Sequence, residues 1–250
     1  MASGRHFLEQ YQTKLSTVSG EQFATTHESF VRELARRQDD PTAGLDSAER
    51  AHFAAFFSQC QRRYLAIKEK QESEAMMKVV DGATVSAIMD IGFGRDAYDR
   101  VADLIGMVST YRNLVMVGCG AFPATLFWLC DHFPRVHYTG LDIDARCVGT
   151  ATKLTEAMGI EMDFKVIDGR DYDFADADFV YVANQVAPKK AVLEQVGRSG
   201  ITRVVVREPT RKGELLAEAV RYDLPEEFVV ESEGVESPIF LSYDLLLRRV

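Results

Sequence analysis

No run of about 18 apolar residues occurs anywhere in the chain, so a membrane-spanning helix is not expected. The opening segment, MASGRHFLEQYQTK, also lacks the apolar centre of a signal peptide, and the expectation is a soluble cytoplasmic protein. Basic residues are in short supply: 29 Lys and Arg face 38 Asp and Glu, a formal net charge of −9. Nucleic-acid backbones are bound by clustered cations, so this balance argues against such a partner and suits a small or cationic ligand. The four cysteines, Cys60, Cys119, Cys130 and Cys147, form no CxxC or Cys/His pattern and sit in apolar surroundings. They are expected to be reduced core residues, with no metal site. A GxxxxGK phosphate loop is missing too, which argues against ATP or GTP.

Apolar residues make up 46% of the 250, enough to bury one α/β domain of about 150 residues and an accessory part. The first hundred residues read as helices. In LDSAERAHFAAFFSQCQRRYLAIKEKQESEAMMKVV, Asp46 and Glu49 have the spacing of a capping box, and Phe53, Phe56, Phe57, Cys60, Tyr64 and Ile67 recur at helical intervals. An earlier helix is expected over SGEQFATTHESFVRELARRQ, broken off by DDPTAG, and a third over GRDAYDRVADLIGMVSTY. The aromatic stripe is expected to pack on the following domain, with one helical edge serving as a lid.

From Asn113 onward, strands at LVMVG, VHYTGLD, MDFKVID, DFVYVAN and RVVVRE alternate with helical stretches, the pattern of a parallel sheet covered on both faces. The tail, EEFVVESEGVESPIFLSYDLLLRRV, reads as an antiparallel hairpin added to that sheet. Five parallel strands and a terminal hairpin predict a Rossmann-like class I methyltransferase fold (α/β) over residues 109–250, under a helical cover over 1–108.

The chemistry is expected at the strand ends, where open α/β sheets bind ligands. Gly118 and Gly120 follow the first strand and allow a tight turn close to a ligand, although a turn without ligand needs the same residues. Asp142 ends the second strand, where its two oxygens can accept both hydroxyls of a ribose. Asp144 suits the alternative role there, a helix cap. Asp168, followed by Gly169, ends the third strand and can meet the amine of an adenine; a solvated turn is the alternative. Ile143 is placed with these cofactor-lining residues. Asn184 and Gln185 end the fourth strand and can hold an amino-acid moiety, or simply form the turn. Together these positions describe a site for S-adenosylmethionine (SAM). GCGAFP lacks the third glycine of GxGxxG, which with the terminal hairpin argues against NAD.

VGCGAFPATLFWLCDHFP followed by GLDIDARCVGTATKL resembles the glycine loop and acidic strand of nicotianamine synthases, and YVANQVAPKKAVLEQV with RVVVREPTRKGELL resembles their fourth and fifth strands. Pro123 and Thr125 make the likeness more specific than a generic SAM fold, and Arg207 closes the fifth strand. The acidic motif that those enzymes place before the glycine loop is not found in the N-terminal half. In size and layout the chain is also similar to bacterial azetidine-2-carboxylate synthases. These resemblances imply C–S cleavage of SAM at Cγ, by cyclisation or by transfer of the aminocarboxypropyl arm to a small amine, with release of methylthioadenosine. They imply secondary metabolism and no metal. A small-molecule methyltransferase is the competing reading. In the cyclase, Asn184 orients the α-amine or carboxylate, and Tyr98 or Tyr111 lies near the sulfonium unless it only packs the core. Arg207 pairs with the substrate carboxylate or salt-bridges Glu208 or a helix end.

Overall fold

The computed structural model describes residues 4–77, 110–236 and 241–250. The helical part opens with α1 (Gly4–Thr17) and α2 (Gly20–Arg36), followed by the long α3 (Ser47–Met77). The break between α2 and α3 falls at DDPTAG, and the capping box forms. Asp46 N–H donates to Glu49 Oε2 at 3.2 Å, and Glu49 N–H to Asp46 Oδ1 at 2.8 Å. These reciprocal bonds satisfy two of the amides that a helix start leaves without partners. Much of the expected helix over GRDAYDRVADLIGMVSTY lies outside the described residues.

The aromatic stripe of α3 packs chiefly within the helical part rather than on the sheet. Phe57 stacks on Phe30 with ring centroids 4.3 Å apart, and Tyr64 stacks on His27 at 4.7 Å. Leu215, Leu216 and Leu241, which come from beyond the parallel strands, complete the same core. The helical part and the segments that follow β5 and precede β7 therefore share one apolar cluster. Among the described residues no helix is long and apolar enough to cross a membrane.

The sheet is built from β1 (Asn113–Val117), β2 (His137–Asp142), β3 (Asp163–Val166), β4 (Phe179–Val182), β5 (Arg203–Pro209), β6 (Phe228–Glu233) and β7 (Ser242–Arg249). Helices α4 (Ala124–His132), α5 (Ala145–Met158) and α6 (Lys189–Arg198) connect the parallel strands, and a short 3₁₀ turn (Gly213–Leu215) follows β5. The order is β3-β2-β1-β4-β5-β7-β6. The first five strands are parallel, while β7 inserts antiparallel between β5 and β6. This is the expected class I fold with its terminal hairpin. The order reverses at β1, so the carboxyl ends of β1 and β4 flank the crevice where such sheets take ligands. Side chains alternate between the two faces: Leu114, Met116, Phe179 and Tyr181 join one core, and Val115, Val117, Val180 and Val182 the other.

Candidate active site

Beyond Val117 the chain turns through Gly118 (φ 78°) and Gly120 (φ 67°), conformations that glycine adopts without strain. Gly118 and Cys119 donate their N–H groups to the Leu141 carbonyl at 2.8 and 3.0 Å. Asp142 completes the join: Oδ2 accepts from Gly120 N–H and Oδ1 from Asp144 N–H, both at 2.9 Å. Asp142 thus ties the loop after β1 to the loop after β2. A Cβ on Gly118 would come within 2.6 Å of Val186 Cγ2, and one on Gly120 within 2.8 Å of Glu69 Oε1. Both bare positions make room for side chains of the protein itself.

These loops border a cleft of about 1250 Å³ at the carboxyl edge of the sheet. Gly118, Gly120, Asp142, Ile143, Asp168, Gly169 and Asn184 all line it. Asp144 caps α5, accepting from Arg146 N–H. Ile143 stands 74% exposed beside Asp142 at the border of the cleft. Asp168 is clamped by Arg170, whose Nε and Nη2 donate to its two oxygens at 3.0 and 2.7 Å. Those bonds and the guanidinium charge hold its carboxyl below the usual range. Asn184 Oδ1 is buried and has no partner among the described residues, so it is an acceptor directed at whatever enters.

A further acid reaches the cleft from the cover. Helix α3 presents Arg62, Leu65, Ala66, Glu69, Lys70 and Ser73 to the cleft, at intervals of three and four that keep them on one face. Glu69 reaches the glycine loop, where Oε2 accepts from Ala121 N–H at 3.4 Å and from Cys147 Sγ at 3.7 Å. Burial raises the Glu69 pKa, and the neighbouring Asp142 and Asp144 carboxylates raise it further against the Ala121 bond. Burial, then the Glu69, Asp142 and Asp144 carboxylates, push the Cys147 thiol up to about 12, so it is protonated and unreactive at neutral pH.

Arg207 lines the cleft with a partner other than Glu208. It lies opposite Asp244 of β7, to which Nε donates at 3.0 Å and Nη2 at 3.3 Å. Glu208, the next residue, points to the opposite face of the sheet and faces Lys189. Burial disfavours the Arg207 charge, but Asp244 and Tyr181 raise its pKa overall. Tyr181 donates its hydroxyl to Asp244 at 3.2 Å, and its ring lies 5.4 Å below the guanidinium. Among the described residues it is the tyrosine that lines the cleft. The structure does not bring Tyr111 there. It precedes the amino end of β1, at the far edge of the sheet, and packs on Phe179 with centroids 5.2 Å apart. Tyr98 lies outside the described residues.

No family profile matches the chain, and neither does any curated protein sequence. Among solved structures it is similar to a point mutant of MtNAS, a nicotianamine synthase, in complex with S-adenosylmethionine. The TM-score is 0.78 and the identity 17%, covering 98% of this chain and 97% of that one. MtNAS in complex with MTA and tNA gives a TM-score of 0.76 at 18% identity, covering 97% of both chains. At this identity the likeness establishes a shared fold, and it extends through the helical cover.

Proposed function

We propose that the cleft binds SAM and that the chain is a SAM-dependent enzyme cleaving the Cγ–S bond. Cyclisation of the arm to azetidine-2-carboxylate, with release of 5′-methylthioadenosine, is the reading favoured. The observation that carries it is the Glu69 carboxylate seated on the glycine loop. In SAM the α-amine is an ammonium at neutral pH and cannot attack Cγ until it loses a proton. A carboxylate made more basic by burial can take that proton. The nitrogen then forms its bond to Cγ while the C–S electron pair leaves with sulfur, giving a neutral thioether and a ring that keeps one positive charge. Atoms and charge balance with one proton released through Glu69.

Methyl transfer makes no demand on the amine of SAM itself, because its nucleophile belongs to the acceptor. Cyclisation instead needs the arm folded back on itself and held in line with the breaking bond. Asp142 and Asp168 suit the nucleoside, Asn184 Oδ1 suits the amine and Arg207 the carboxylate. Tyr181 borders the cleft but is 1% exposed with the Arg207 guanidinium over its ring, so it offers a sulfonium little aromatic surface. The MtNAS complexes with S-adenosylmethionine and with MTA support a site of this kind on the shared fold.

One observation favours a second reading, transfer of the arm to a small amine. The cleft of about 1250 Å³ exceeds the ~1,000 Å³ upper range of single-ligand sites. Incubating the purified protein with SAM alone separates the cases. Methylthioadenosine together with azetidine-2-carboxylate is the expected result. Methylthioadenosine formed only when an amine is added supports arm transfer. S-adenosylhomocysteine formed with an acceptor overturns both in favour of a methyltransferase.

A further inference from the structure

We propose that Ser73 is a ligand-binding residue, its hydroxyl contacting the nucleoside half of the molecule held in the cleft; this rests on the SAM reading above. Ser73 lies one turn beyond Glu69 on the cleft face of α3. Its Oγ is buried and has no hydrogen-bond partner among the described residues. Helix hydroxyls ordinarily bond back to the carbonyl one turn earlier. Thr13, Ser16, Thr25, Thr150 and Thr152 all do so in this chain, at 2.7–3.1 Å. Ser73 does not, so a buried polar group is held facing the cleft without local satisfaction.

The path of α3 says which half of the ligand it meets. Near its start, Ser47, Arg50 and Ala51 share a hollow with Arg211, Glu214 and Leu215, just beyond β5. By Glu69 the helix has reached the loop after β1, and it packs against α5, which follows β2. Since the strands run β2-β1-β4-β5, α3 crosses the sheet edge from β5 toward β2. One further turn advances the helix about 5–6 Å, carrying Ser73 past the glycine loop to the side of Asp142 and Asp168. That is the nucleoside side. The arm side, with Asn184 and Arg207, lies behind it along the helix.

A hydroxyl there can donate to or accept from a ribose hydroxyl or an adenine nitrogen, and it would join the cover to the sheet through the ligand. Calorimetric titration of wild type and Ser73→Ala with SAM and with methylthioadenosine tests this, since the second ligand keeps the nucleoside and lacks the arm. The expected result is a roughly fivefold to twentyfold weakening of both ligands alike, with circular dichroism unchanged. Ser73→Cys, close in volume but a poor hydrogen-bonding group, is expected to weaken both in the same way. Unchanged affinity for both ligands overturns the assignment. A loss confined to SAM also overturns it, because the hydroxyl would then sit at the arm. If the unaltered protein binds neither nucleoside, the SAM reading itself falls and this assignment with it.

Discussion

Arg207 and Glu208 are neighbours on β5, yet their ion pairs lie on opposite faces of the sheet and in different surroundings. Lys189 and Glu208 are both 0% exposed, with Nζ 3.6 Å from Oε2. Lys189 also donates to the Glu218 carbonyl, and Glu208 Oε1 accepts from Val220 and Arg221 N–H at 2.7 and 2.9 Å. Burial depresses the Lys189 pKa to about 8 in spite of the facing carboxylate. Sealed from solvent, this pair fastens the start of α6 and the segment after the 3₁₀ turn to β5. Arg207 and Asp244 remain 21% and 14% exposed, and Arg207 lines the cleft. Strand alternation thus sorts one strand's charges into scaffold and site. A charge pair reports function only when a cavity can reach it.

The comparison breaks first at Lys189. Lys189→Met strands Glu208 in the core and is expected to lower unfolding free energy by about 3–5 kcal/mol. A urea-measured loss under about 1 kcal/mol would show that the pair is no fastener. His27 sharpens the same contrast, being fully buried in the cover with its pKa lowered by desolvation to about 4. Above about pH 6.5 it is neutral in both states and contributes nothing. Below that the unfolded chain takes up a proton that the fold refuses until about pH 4, so stability should fall as pH drops through this window. The loss should reach up to about 3 kcal/mol, and His27→Phe should flatten the curve.

On the cleft side the effects should appear in turnover and binding. Glu69→Gln is expected to reduce kcat about 100-fold or more while SAM affinity changes only a few-fold. An unaltered kcat would remove the carboxylate from the chemistry. Asp142→Ala should weaken SAM by at least an order of magnitude, ~1.4–3 kcal/mol, in a titration. The smallest effect is expected for Asp244→Asn. It should raise KM severalfold with kcat retained, and its stability loss should stay near ~1 kcal/mol. Unfolding as severe as that of Lys189→Met would erase the distinction between the two pairs.

The strand ends were readable because each rests on local pattern: an apolar run, then a glycine or carboxylate at its tip. Asp142, Asp168 and Asn184 reached one cleft for that reason. Glu69 escaped because it is one of several acids on a helix of 31 residues, and its importance depends on which face meets the glycine loop. The spacing from Arg62 to Ser73 marks one face of α3, but nothing local says what that face covers. Arg207 was readable as a strand-end cation, whereas its partner Asp244 depends on β7 inserting beside β5. Tyr111 was misplaced by reading a helix up to the strand. Standing two residues before β1, it is confined to the amino edge. Tyr181 is a buried core residue of β4, and nothing local in DFVYVAN marks it as one that also borders the cleft.

Gly120 and Glu69 occupy each other's space, although they stand far apart in the chain. A side chain at 120 would meet the end of Glu69, which must swing aside to admit it, and would strain a turn held at φ 67°. Among distant descendants the two positions should be inherited together. A lineage that surrendered the glycine would shift the acid from its seat, and with it whatever reaction depends on that placement.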